Sequence, residues 1–421
     1  APVCSPSRCT HITGRYPTEL GTHHHRSKLR EQPRLYTHAL REAGYYVNWA
    51  NKTDFNFEPD PSFADERTHW IEAMEAGWTP PGPFLLYFNF ENTHESRAWP
   101  TDSKPGVEPP APEPGYGLDR SAGVPIPPYL PDIPESRSAL MRYYDRVAEQ
   151  DAMLGRAMAA LEKHGLVDNT IVLFFTDHGR GLLREKRWLY EAGIHLPLIV
   201  RWPGQIDPGT VREDLVSWVD LAPTVMSAAG LDREVARQMN MPGRVFVGPE
   251  TEPEPGHVFS ARDRLDAMYD RMRAVRDRRY LYIRNDFPSI PWAQRNQYME
   301  TSPLVRRIRQ MHAAGELAFP ITAFFDERKP LEELYDTVAD PHCVYNLAER
   351  EDMSPQLDEM REALSRWREH FDGLGQLPER ELVEQGVTVD QTDFLARSIN
   401  VLPEPLRHGG RFDTTTAMPE A

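Results

Sequence analysis

Apolar residues fall into two kinds of run along the chain. Short, nearly unbroken runs occur at 45–50, 84–90, 170–175 and 196–201. Their length and lack of alternation predict strands covered on both faces. Longer stretches at 29–43, 136–164 and 218–229 place apolar residues at helical spacing. In the longest of these, Leu140, Tyr144, Val147, Leu154, Met158 and Leu161 approximate one face, and Gly44, Gly165 and Gly230 stand where the three helices end. Strands alternating with helices predict an α/β fold, a mostly parallel central sheet flanked by helices.

The pattern changes near residue 249. Strands are expected at 257–262, 274–284 and 331–335, and helices at 303–314 and 355–371. The division is therefore an α/β unit over 1–248, a smaller C-terminal α+β subdomain over 249–375, and a polar extension over 376–421 with two candidate helical turns and little core. One stretch, 100–134, carries eleven prolines and excludes regular helix or central strand. It reads as a loop packed around a cleft, anchored by Tyr116 and Tyr129.

Composition narrows the class. The chain has 421 residues, 40% hydrophobic and 27% charged, which fits a folded globular protein. A net charge of −16 argues against a nucleic-acid-binding or anionic-membrane surface, and no apolar run is long enough to span a bilayer. Three cysteines make no disulfide framework, so Cys9 and Cys343 are expected as core thiols. A metal site joining Cys4, Cys9, His11 and His23–His25 lacks the paired spacing of structural zinc centres.

The candidate chemistry starts at residue 4. In Cys4-Ser5-Pro6-Ser7-Arg8, Pro6 is suited to a first helical turn, and Gly14 sits where a left-handed residue closes a helix. Cys4 then stands at a helix N-terminus, where free N–H groups favour an anion. Arg8 lies one turn further on the same face. Other polar groups follow strand ends, where open α/β sheets collect ligand residues: Lys52 and Asp54 after the first strand, His94 after the second, Asp177-His178-Gly179 after the third, then Lys186. Arg8, Lys52 and Lys186 suit the oxygens of a sulfate or phosphate. Asp177 and His178 suit a divalent cation or the orientation of a nucleophile. His23, His24 and His25 lie close behind as substrate contacts or as a loop over the site, with His24 the residue put forward. Arg262, Asp263, Arg264 and Asp266 read as a surface salt-bridge cluster rather than cleft residues.

These motifs, in this order, resemble the formylglycine-dependent sulfatases of the alkaline phosphatase superfamily over roughly residues 1–370. The resemblance rests on Cys4-x-Pro6-x-Arg8 with Thr13-Gly14-Arg15, Lys52, Thr93-His94, Asp177-His178-Gly179, Lys186 with Tyr190-Glu191-Ala192-Gly193, Pro203-Gly204, and Glu333-Leu334-Tyr335-Asp336 with Asp340-Pro341 and Asn346-Leu347. It implies that Cys4 is oxidised to formylglycine by a maturation enzyme and that a hydroxyl of its hydrate attacks sulfur. Arg8, Lys52 and Lys186 would stabilise sulfuryl oxygens, and His94 or Lys186 would protonate the leaving oxygen. It also implies Ca2+, or Mg2+, held by Asp177, His178 and position 4, and a periplasmic, secreted or lysosomal-type compartment.

Two departures stand out. Asp54 replaces the family's usual His two residues after the lysine, which makes it a substrate-contact candidate. The family's first strand, with its Asp-Asp metal ligands, has no counterpart before Cys4, so an N-terminal segment is expected to have been lost or cleaved and the chain by itself may lack activity. The expected substrate is a sulfated carbohydrate, as an O- or N-sulfate of a glycan-directed or sulfamidase-like member. The alternatives are a phosphonate or phosphodiester hydrolase of the same superfamily and a non-catalytic binder of sulfated glycans.

Overall fold

The computed structural model describes residues 1–98 and 123–391. Tyr116 and most of the proline-rich stretch lie outside them, as does the extension beyond 391. No helix among the described residues is long and apolar enough to cross a membrane.

The apolar runs form strands β1 (Tyr46–Ala50), β2 (Phe84–Phe88), β3 (Val172–Phe175) and β4 (Leu198–Arg201). The described pairing is mixed. β1 and β2 are parallel, with Asn48 opposite Leu86, but β3 and β4 pair antiparallel, with Phe174 opposite Ile199. No ladder joins β2 to β3 among the described residues. An open cleft lies there, lined by Tyr87–Phe90 on one side and Leu173–Thr176 on the other. An apolar run specifies burial but not strand direction, which the connections decide.

The long helix (Pro134–Lys163) bears out its prediction at both ends. Leu140 and Leu161 are buried as expected, whereas Val147 is 39% exposed. The middle of the helix faces the cleft, where Tyr143 and Gln150 line the wall. Its C-terminal part, through Ala157, Ala160 and Leu161, packs with Ala50, Trp70, Ile71 and Met74. The helix expected over 29–43 is confined to Tyr36–Glu42, because Pro33 disfavours the helical region for the residue before it and cannot donate within a helix.

The later strands form a four-stranded antiparallel sheet, β5 (Val258–Arg262), β6 (Met272–Arg276), β7 (Tyr280–Asn285) and β8 (Glu332–Asp336), in sequential order. The single strand expected over 274–284 is instead a hairpin. Asp277 accepts from the backbone N–H groups of Arg279 and Tyr280, both at 2.6 Å, and this side-chain turn reverses the chain. The helix Ser354–Phe371 covers the sheet through Leu357, Met360, Leu364 and Trp367. A separate apolar cluster crosses the expected boundary at 248, joining Leu182 and Trp188 to Met272 and Ile283.

The first part of the expected extension is packed rather than free. Leu382 is fully buried, Thr388 bridges Leu29, and Val389 N–H donates to the Lys28 carbonyl at 2.8 Å. Cys9 and Cys343 are buried free thiols, as expected, and burial pushes each up to about 12.

Candidate active site

The helix Cys4–Thr13 is the platform, and all ten of its residues are buried. Val3 enters extended, and Gly14 closes the helix at φ 66°, its N–H donating to the Thr10 carbonyl. A Cβ on Gly14 would lie 2.9 Å from the Met241 side chain, so both the turn and the packing call for glycine. Ser7 Oγ donates to the Asp177 carbonyl at 2.5 Å, which ties the helix to the segment after β3.

Cys4 Sγ lies 3.1 Å from His178 Nε2. The other ring nitrogen of His178, Nδ1, is 2.7 Å from the Gly179 carbonyl. A carbonyl only accepts, so Nδ1 carries a proton and Nε2 is the atom turned to position 4. Burial raises the thiol's proton affinity, but Lys186 and His178, with a further hydrogen bond from His94, outweigh it and hold Cys4 well below its ordinary value. Burial likewise disfavours a charged His178, yet Asp177 and Cys4 leave its affinity raised. The environment therefore favours an anion at position 4.

Arg8 is 3% exposed, and it makes four hydrogen bonds to protein acceptors. Nε donates to the Thr53 carbonyl at 2.7 Å, Nη1 to Asn89 Oδ1 at 2.8 Å, and Nη2 to the Lys52 carbonyl at 2.7 Å and Tyr87 Oη at 3.0 Å. Nη1 also lies 3.7 Å from Asp177 Oδ2. A guanidinium has five N–H donors, so most of this fork frames the loop after β1, while Arg8 also lines the cleft.

Lys52 and Asp54 share that loop, Nζ 3.8 Å from Oδ2. Ser5 Oγ donates to Asp54 Oδ1 at 2.9 Å and is 3.0 Å from His25 Nδ1. A hydroxyl has one proton, so His25 must donate through Nδ1, and its Nε2 accepts from Arg26 Nε at 3.3 Å. The structure thus brings His25 to the site, not His24. His24 is 3% exposed and accepts through Nδ1 from the Arg264 backbone N–H at 3.2 Å. Burial, followed by nearby His23 and arginines, keeps it well below the usual histidine range. Adjacent loop residues point opposite ways, and nothing in the pattern His23-His24-His25 selects one of them.

The reading of 262–266 as a surface cluster is likewise corrected. Arg262, Asp263 and Arg264 are 4% exposed or less, and Arg264 Nη1 donates to the His25 carbonyl at 3.2 Å. Lys186 Nζ lies 2.9 Å from Glu95 Oε2. Glu95 went unnoticed in the sequence, where only its position beside His94 marks it. Burial by itself would raise its carboxyl, but Arg187 and Lys186 hold it down at about 2.

Cys4, Asp177 and His178 offer ligand atoms all within 4.8 Å of one another. One sulfur, one carboxylate and one imidazole do not make a calcium cage, which takes six to eight oxygens. These residues alone do not fit Ca2+.

The family described as Sulfatase matches residues 1–231. An ulvan-active sulfatase of Formosa agariphila is 32% identical over 424 residues, covering 91% of this chain and 70% of that protein. The human N-sulphoglucosamine sulphohydrolase is 27% identical over 255 residues, covering 58% of this chain and 50% of that protein. Among solved structures, the putative sulfatase yidJ of Bacteroides fragilis superposes with a TM-score of 0.59 at 18% identity, covering 89% of this chain and 88% of the other. The chain belongs to the sulfatase family, with the α/β fold of these alkaline-phosphatase-like proteins.

Proposed function

We propose that this sulfatase hydrolyses sulfate esters, or N-sulfates, of a sulfated carbohydrate at position 4. The observation that carries the reading is His178 Nε2 at 3.1 Å from Cys4 Sγ, in surroundings where Lys186 and His178 favour an anion on that side chain. The relatives named as ulvan-active sulfatase and N-sulphoglucosamine sulphohydrolase support a glycan as substrate. A maturation enzyme that oxidises Cys4 belongs to this reading. So does the division into a catalytic unit over 1–248 and a smaller one over 249–375.

The residues around position 4 fit an aldehyde there, since the site already favours an oxyanion-like side chain. Formylglycine at position 4 supplies the hydrated hydroxyl that attacks sulfur. His178 Nε2, 3.1 Å from the position 4 side-chain atom, holds that group and takes up or returns its proton. Lys186 and Lys52 stabilise charge on the sulfuryl oxygens, and His94 gives a proton to the departing oxygen. Arg8 acts through what it holds, the Lys52–Thr53 carbonyls and Asp177. Asp54, held by Ser5, contacts the substrate beside the reacting group.

The cleft between β2 and β3 bears on the finer fold. We take it as the place of a further strand that completes a mostly parallel central sheet. Oxygen donors from such a segment would join Asp177, so that Ca2+ or Mg2+ is held by more than the described residues.

The test is release of inorganic sulfate from a panel of sulfated oligosaccharides by the complete, matured protein, against phosphate release from matched phosphonates and phosphodiesters. Sulfate release in excess supports the reading. Phosphate release in excess overturns it in favour of the phosphonate hydrolase, and binding without turnover favours a non-catalytic glycan binder.

A further inference from the structure

The loop that carries Lys186 holds two residues with side chains in the left-handed region, Arg184 at φ 67° and Arg187 at φ 84°. Such conformations persist where the surroundings over-determine them. Arg184 Nη2 donates to the Cys343 carbonyl at 2.6 Å, and its guanidinium lies 3.9 Å over the Tyr190 ring. Arg187 forms a fork on Glu95, Nη1 to Oε1 at 2.8 Å and Nη2 to Oε2 at 2.7 Å, while its backbone N–H donates to the Pro2 carbonyl. Lys186 lies between these anchors, with Nζ 2.9 Å from Glu95 Oε2.

Glu95 is itself fixed. It is 2% exposed, and a Cβ on Gly181 would fall 2.6 Å from its Cβ and Cγ, so the backbone at 181 packs directly against the carboxylate's stem. The arginine fork already uses both carboxylate oxygens. Adding Lys186 puts two buried cations on one anion, and the Lys186 charge also acts on Cys4. An ammonium has three donors. Tethering one to Glu95 fixes the direction of the others without discharging them.

We propose that Glu95 is a positioning residue that aims the Lys186 ammonium at position 4. This rests on the reading of Lys186 as the group that stabilises charge on the sulfuryl oxygens. Glu95 touches no reacting atom, and its effect is the placement of Lys186 in the transition state.

Steady-state sulfate release by the complete, matured protein tests this with Glu95→Gln, Lys186→Ala and the double variant. The expected result is a fall in kcat of about 100-fold for E95Q, the scale of losing one preorganised charge-stabilising donor, with KM changed by less than about threefold. In the K186A background E95Q should cost less than about threefold more, because the two act as one unit. An E95Q enzyme within threefold of wild type, or an equal loss in both backgrounds, overturns the proposal. If E95Q does not fold, Gly181→Ala decides, since it displaces Glu95 and keeps every charge. A fall in kcat of about tenfold or more supports the placement, and unchanged kcat overturns it. A wild-type protein without turnover would overturn the parent reading as well, which separates the two failures.

Discussion

Two buried ion networks, some distance apart in sequence, are built to opposite ends. On β6 Arg273 sits fully buried between two aspartates. Nε donates to both oxygens of Asp372 at 2.9 Å, and Nη1 and Nη2 reach Asp263 at 3.0 and 3.1 Å. The remaining donors end on the carbonyls of Arg262, Met272 and Gly375. Beside it Asp270 takes both Arg262 and Lys329, Nζ at 2.6 Å. These networks hold a continuous four-stranded sheet. At position 4 the balance differs: His178 Nε2 lies 3.1 Å from Cys4 Sγ, and Lys186 and His178 together favour the anion there. Around Arg273 each nitrogen of the guanidinium meets acceptors of its own chain. The site instead lets Lys186 and His178 favour negative charge at position 4 even with the Asp177 carboxylate beside it, as a group that must carry negative charge in the reaction requires.

The sharpest way to break this contrast is Cys4→Ala. Removing the nucleophile should lower turnover by more than about 10⁴-fold, while thermal unfolding changes by only about 1 kcal/mol. Arg273→Met should do the converse. It leaves Asp263 buried without its ion partner and Asp372 with Arg368 alone, Nε at 3.2 Å, and costs about 3–5 kcal/mol of stability, measured by urea unfolding, with kcat of the folded fraction retained. A C4A protein that keeps activity, or an R273M protein of unchanged stability, would erase the distinction.

A smaller effect sharpens it through pH. The Glu95 carboxyl moves from 4.5 to about 2 in the fold. A depressed carboxyl contributes stability that is present above the unfolded value and lost as pH falls through the folded one. The unfolding midpoint of E95Q should therefore lie below wild type at neutral pH, with the difference closing between about pH 4.5 and pH 2. A constant difference across that window would mean the carboxylate's charge is not what the site uses. Smaller again, Gly14→Ala should cost about 1–2 kcal/mol, from its positive φ and the contact with Met241, and should leave the pH profile of turnover in place.

How much of this could be read from the chain depends on the distance over which each feature is decided. The helix from Cys4 closed by Gly14 was legible because cap, proline and glycine are local signals. Lys52, His94, Asp177 and Lys186 were legible because strand ends in an α/β pattern collect polar groups. The antiparallel pairing of β3 and β4 was not, since a run such as Val172–Phe175 carries no direction. Nor was the choice of His25 over His24, made by a loop in which Arg26 takes φ 60°. Glu95 was hidden for a different reason. Its two cations come from residues 186 and 187, and only the folded chain brings them to the residue after His94.

The most direct test of the central claim is the mass of the peptide containing position 4, taken from the protein purified from its native source. The account predicts an aldehyde in place of the Cys4 thiol. An unmodified thiol in a protein that nevertheless releases sulfate would contradict it.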